Sequence, residues 1–153
     1  MAEEKKEDRM KRKICIVAVK ISFDQQGEGE PALVFVHGWG NTKSVWDAQM
    51  AHFSEKYGVI AVDLPGFGES GYNRTNWTTA SFGEDVAAVI KKLNLKKVVL
   101  VGFCSGAYNI IETAKMAPEN IIGLVLVDIF QNVEMEYSPE MLAYMDSVMW
   151  DVV

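Results

Sequence analysis

A chain of 153 residues, 49% hydrophobic and 24% charged, has the composition of one soluble globular domain and is long enough to bury a substantial core. Its net charge of -6 speaks against a nucleic-acid partner, which would need a basic face to neutralise phosphates. Two cysteines, Cys15 and Cys104, are too few for a disulfide framework and fit a reducing, cytoplasmic setting; with His37 and His52 they show no ligand spacing, so no metal and no cofactor are expected.

The first segment, residues 1–13, is crowded with Glu, Lys, Arg and Asp and reads as a solvated, disordered tail. Residues 14–23 follow as strand material, too short and too soon interrupted by Lys20 to be a signal-peptide core. Leu33 to Val36 is a continuous apolar run, as expected of a strand covered on both faces. Ser44 with Asp47 three residues on resembles a capping box, and Trp46, Met50 and Phe53 then share one helical face. Val59 to Val62 is the next buried strand. A helix is expected from about Thr79 to Leu93, with Phe82, Val86, Val89, Ile90 and Leu93 as its apolar stripe. Lys97 to Val101 reads as a strand, Ser105 to Ala117 as a helix stopped by Pro118, and Ile121 to Val127 as a strand. Strands alternating with helices of this length imply βαβ units and an α/β fold with a mostly parallel sheet and helices on both faces. No stretch approaches the length of a membrane span, so no membrane partner is expected.

Three segments carry chemistry, each directly after a strand. His37-Gly38-Trp39-Gly40 forms a loop whose glycines allow a backbone N–H to approach a developing oxyanion. Asp63-Leu64-Pro65-Gly66-Phe67-Gly68-Glu69-Ser70 is a turn, with Asp63 and Ser70 read as turn-forming and capping residues. Its Gly66 to Gly71 run also matches the dinucleotide fingerprint G-x-G-x-x-G. That fingerprint must open straight into a helix, and here a loop, Tyr72 to Trp77, follows instead. The third segment, Gly102-Phe103-Cys104-Ser105-Gly106, has the layout of a G-x-S-x-G nucleophile elbow with cysteine in the serine position. Glycine spacing sets Cys104, not Ser105, at the apex.

On these motifs, in this order, the chain resembles the α/β-hydrolase superfamily over roughly residues 14 to 135. The resemblance falls in the branch with an HG-W-G oxyanion loop and a D-L-P-G-F-G-E-S turn. It implies that Cys104 is the nucleophile and that the backbone N–H groups of Trp39 and Ser105 form the oxyanion hole. His37, Gly38, Gly102 and Gly106 then support the loops. A thiol is a capable nucleophile here: a helix starting at Ser105 favours the thiolate, and the dienelactone hydrolases of this superfamily use cysteine. The competing reading makes Cys104 a small buried filler. Phe103, where histidine is more usual, and Ala107, where a second glycine is more usual, depart from the common pattern.

A triad also needs an acid and a histidine. Asp128, at the carboxyl end of the last strand, is the candidate acid, against the plainer reading of a turn residue. Both histidines precede the nucleophile, and the resemblance places the catalytic histidine after the last strand, so none fills the role. Residues 136–153, with Met141, Met145 and Met149 at helical spacing, resemble the start of a cap helix over the substrate pocket. The expectation is therefore a C-terminally truncated hydrolase domain lacking its last strands and most of its cap. Its strand Ile121 to Val127 would be an open edge prone to self-association.

Two functions follow. The first is a hydrolase acting on an ester, thioester, lactone or related carbonyl compound with an apolar portion, inactive as this isolated chain. The second is a non-catalytic relative binding a small apolar ligand or a protein partner. Reactivity of Cys104 with a mild alkylating agent separates them.

Overall fold

The computed structural model describes residues 11–16, 19–129, 138–140 and 143. Two strands come first, β1 (Lys11–Ile16) and β2 (Lys20–Gln26), followed by β3 (Ala32–Val36). A 3-10 turn, Lys43–Trp46, leads into α1 (Asp47–Phe53), then β4 (Val59–Val62), α2 (Thr79–Lys92), β5 (Val98–Phe103), α3 (Ser105–Met116) and β6 (Ile121–Val127). The six strands form one sheet in the order β1-β2-β4-β3-β5-β6. β1 and β2 pair antiparallel, β2 joins β4 antiparallel, and β4, β3, β5 and β6 run parallel.

Strand alternation sorts the apolar residues into two layers. Val34 and Val36 of β3, Ile60 and Val62 of β4, and Val98 and Leu100 of β5 face α2 and α3, meeting Phe82, Val86, Val89, Ile90 and Ile110. Phe35, Val59 and Ala61 point the other way and are covered by Trp46 and Met50 of the turn and α1. Helices therefore cover both faces of a mostly parallel sheet, the expected α/β class. The loops after β3, β4 and β5, beginning at His37, Asp63 and Cys104, all leave carboxyl ends of parallel strands, where open α/β sheets gather their sites.

Two local readings are corrected. The stretch 14–23 is not one strand: β1 ends at Ile16 and β2 starts at Lys20, and β1 takes in Lys11 to Lys13, assigned above to the tail. Backbone pairing with β2, from Lys11↔Gln25 to Ile16↔Lys20, holds these charged residues in the sheet. Nor does the Ser44–Asp47 capping box form: the turn begins after Thr42, whose Oγ1 lies 2.8 Å from the Ser44 Oγ, and no side chain caps α1. The capping box lies at Thr78–Ser81, where each side chain bonds the other's backbone N–H at the head of α2. Residues 1–10 of the tail, and the proposed cap residues 136–153 apart from 138–140 and 143, lie outside the described residues.

Candidate active site

The chain turns at Cys104 with φ 52° and ψ -121°, directly between the end of β5 and the first residue of α3. A non-glycine residue is strained there, and such strain collects at functional sites. The backbone N–H of Cys104 donates to the Val127 carbonyl at 2.9 Å, which ties the apex to the end of β6. Small neighbours permit the turn. A β-carbon on Gly106 would stand 2.6 Å from the Val36 carbonyl oxygen, and one on Gly102 would stand 2.6 Å from the Gly106 carbonyl oxygen. Cys104 itself is half-buried and unpaired in any disulfide.

The loop after β3 packs on this apex. A β-carbon on Gly38 would meet the Cβ of Cys104 at 2.9 Å, so the two motifs, 66 positions apart, are in contact. Trp39 follows, exposed, with its indole edge-on to Phe67 at 5.1 Å between centroids. Ser105 opens α3, so its N–H has no partner within the helix and points out at the helix head. Trp39 is thus one residue beyond the Gly38–Cys104 contact, and Ser105 directly follows the cysteine.

His37 is fully buried and has both ring nitrogens engaged. Its Nε2 accepts the Leu64 N–H at 3.0 Å, which puts the proton on Nδ1, 2.7 Å from the Gly38 carbonyl oxygen. Burial lowers its pKa, outweighing the opposing pull of the Gly38 carbonyl and of Asp63. A neutral imidazole held at both ends joins the Gly38 loop to the Asp63 turn. His52 is on exposed α1, against Phe53 and on the other face of the sheet from α3.

Asp63 forms the centre of a polar cluster of which the sequence gives little sign. Its carboxylate accepts the Lys43 N–H at 2.7 Å, the Lys43 ammonium at 2.7 Å and the Glu69 N–H at 3.0 Å. Lys43 also reaches Glu69 at 2.9 Å and the Ser22 hydroxyl at 3.2 Å. Burial alone would lower the Lys43 pKa, but Asp63 and Glu69 outweigh it and leave the ammonium above the ordinary lysine value. The Ser70 hydroxyl donates to the Asp63 carbonyl at 2.6 Å, closing the turn. After Gly71 the chain continues without a helix until Thr79, so the glycine run does not meet a helix N-terminus as a dinucleotide site requires.

Beside the apex lies a cavity of about 170 Å³. Among the described residues Trp39, Phe67, Trp77, Phe82 and Tyr108 supply aromatic walls, joined by Leu64, Thr79, Ser105 and Asn109. Arg74 holds one wall: its guanidinium pairs with Asp85 and stacks 5.5 Å from the ring centres of both Trp77 and Phe82. Desolvation raises the Asp85 pKa, only partly offset by Arg74. Sequence reasoning passed over Lys43, Arg74 and Asn109. The one available signal for Asn109 was its helical spacing from Ser105, four residues on.

Asp128 follows β6 at φ 53°, exposed, one residue beyond the carbonyl that binds the Cys104 N–H. It therefore stands at the same sheet end as the cysteine. Neither histidine joins them.

A sequence model of the alpha/beta hydrolase fold matches residues 31–151. The chain is 28% identical over 125 residues to 2-(acetamidomethylene)succinate hydrolase of Mesorhizobium japonicum, an alignment covering 82% of this chain and 45% of that protein. It is 33% identical over 115 residues to an esterase of Mycobacterium tuberculosis, covering 74% of this chain and 38% of the esterase. Among solved structures, the N-acyl homoserine lactone degrading enzyme Est816 superposes with a TM-score of 0.80 at 25% identity, covering 93% of this chain and 54% of the enzyme. The chain thus spans about half the length of these relatives, or less. With a family model matching residues 31–151, most of its length, the chain belongs to the α/β-hydrolase fold family.

Proposed function

We propose that the whole protein is a hydrolase of esters, thioesters, lactones or related carbonyl compounds, with Cys104 as nucleophile. The Cys104 sulfur attacks the carbonyl carbon, and the N–H groups of Trp39 and Ser105 receive the oxyanion. A base takes the thiol proton and returns it to the leaving oxygen, sulfur or nitrogen as the acyl–cysteine forms; water then releases the acid. Asp128 is the candidate acid partner of that base. His37 is occupied at both nitrogens and His52 is on the far face, so the base comes from residues outside this sequence, and the isolated chain does not turn over. The protein works in the cytoplasm.

The observation that carries this reading is the strained apex of Cys104 at the head of α3, with Gly38 packed on it and the aromatic cavity alongside. Support also comes from the relatives, whose names are those of hydrolases and esterases. The occupied histidines favour a second reading, a non-catalytic binder of a small apolar ligand or a protein partner. Competitive alkylation with iodoacetamide near neutral pH tests the two. The hydrolase reading expects Cys104 to react well ahead of Cys15, and a Cys104 no faster than Cys15 leaves only the binder.

A further inference from the structure

Asn109 is a residue that the reaction above leaves without a task. It is 4% exposed, in the second turn of α3, where asparagine is a poor helix former. Its backbone carbonyl accepts the Thr113 hydroxyl at 3.0 Å, and its side chain is part of the cavity wall. A ligand that covers a polar group in an aromatic-walled cavity must pair with it or bear the cost of desolvating it. The side chain lines the cavity, and Ser105, Tyr108 and Asn109 fall at i, i+3 and i+4, on one face of α3.

The remaining walls narrow the ligand. Thr79 and Tyr108 are exposed and Ser105 is half-buried, so among the described residues Asn109 is the buried polar side chain of the cavity. Among the described residues no lining side chain is charged, so these walls offer an anion no counter-charge. An asparagine amide both donates and accepts, and its complement is a group that does the same, a carboxamide. The volume, about 170 Å³, is close to the ~150 Å³ of an engineered cavity that takes up benzene, so it suits a short chain or a single ring.

We propose that Asn109 is a specificity-determining residue and that the cavity takes a neutral carboxamide with a short apolar body, its amide paired with that of Asn109. As a substrate class this rests on the hydrolase reading; as a binding preference it does not involve the Cys104 sulfur.

The test is a titration of the 153-residue chain with hexanamide and with heptan-2-one, followed by tryptophan fluorescence, to which Trp39 and Trp77 of the cavity wall contribute. The two probes have the same shape and differ only in NH₂ against CH₃. The expected result is tighter binding of hexanamide by about tenfold, the equivalent of one net hydrogen bond. In Asn109→Leu, of similar volume, the preference should vanish or reverse. Equal binding of the two probes by the unaltered chain, no binding of either, or a preference that survives in Asn109→Leu would overturn the proposal. The unaltered chain decides the question even if Asn109→Leu does not fold. Cys104 alkylation, measured separately, shows which idea has failed: a slow Cys104 with the amide preference intact removes the hydrolase reading alone, and a fast Cys104 without the preference removes only this one.

Discussion

Gly38 and Cys104 touch so closely that a β-carbon on the glycine would stand 2.9 Å from that of the cysteine. It would also lie 3.1 Å from the Phe103 carbonyl oxygen, which belongs to β5 and cannot swing aside. The contact fixes the distance between the loop carrying Trp39 and the Cys104 apex. Gly38→Ala should therefore lose about 1–3 kcal/mol of stability by overpacking, read from urea unfolding. It should also slow Cys104 alkylation; a variant with unchanged stability and reactivity would mean that the two loops are not held in register by this contact.

His37 gives a pH signature. Its folded pKa lies below 6.5, while the unfolded chain protonates near that value. The unfolded state then binds more protons as pH falls, so the contribution is complete above pH 6.5 and is lost as pH falls through the folded pKa. His37→Phe strands the Leu64 N–H and should cost about 2 kcal/mol at neutral pH. The gap to the unaltered chain should narrow in acid, as measured by urea midpoints at pH 7.5 and about pH 5. A gap that widens in acid would contradict the neutral, doubly bonded imidazole.

Lys43 and Asp63 form a buried pair, with side chains 8% and 1% exposed. Removing the cation alone leaves a buried carboxylate, so Lys43→Met should destabilise by about 3 kcal/mol or more. Lys43→Met with Asp63→Asn removes both charges and should lose less than Lys43→Met alone. Chemical denaturation of the set measures this coupling, and simple additivity would show the pair to be independent.

Strand β6 predicts self-association. Ile122 is 59% exposed and Leu124, Val125, Leu126 and Val127 between 38% and 45%, on both faces of a strand that pairs, among the described residues, only with β5. An apolar edge of this kind recruits further strands. Sedimentation velocity of the 153-residue chain should shift with concentration, and Val125→Lys should reduce the shift. A monomer at every concentration would count against it.

Much of this arrangement was legible in the residues because its signals are local. Apolar runs at 33–36, 59–62 and 121–127 became β3, β4 and β6 almost to the residue, and the helical stripe from Phe82 to Ile90 became the buried face of α2. The boundary between β1 and β2 escaped because Ile14 to Val19 is unbroken apolar sequence with no turn residue in it. Lys43 was illegible for another reason: its partner Asp63 is 20 residues away and the pair exists only once β3 and β4 are side by side. Asn109 was equally silent, since helix periodicity places a residue on a face without saying that the face borders a cavity.

The central claim is that the Cys104 sulfur is the attacking atom. The most direct measurement exposes the chain to p-nitrophenyl acetate at neutral pH and locates the transferred acetyl group by peptide mass spectrometry. The account predicts stoichiometric nitrophenolate release without turnover and an acetyl group on Cys104. An acetyl group on Ser105, or on Cys15 and surface lysines with Cys104 unmodified, would contradict it.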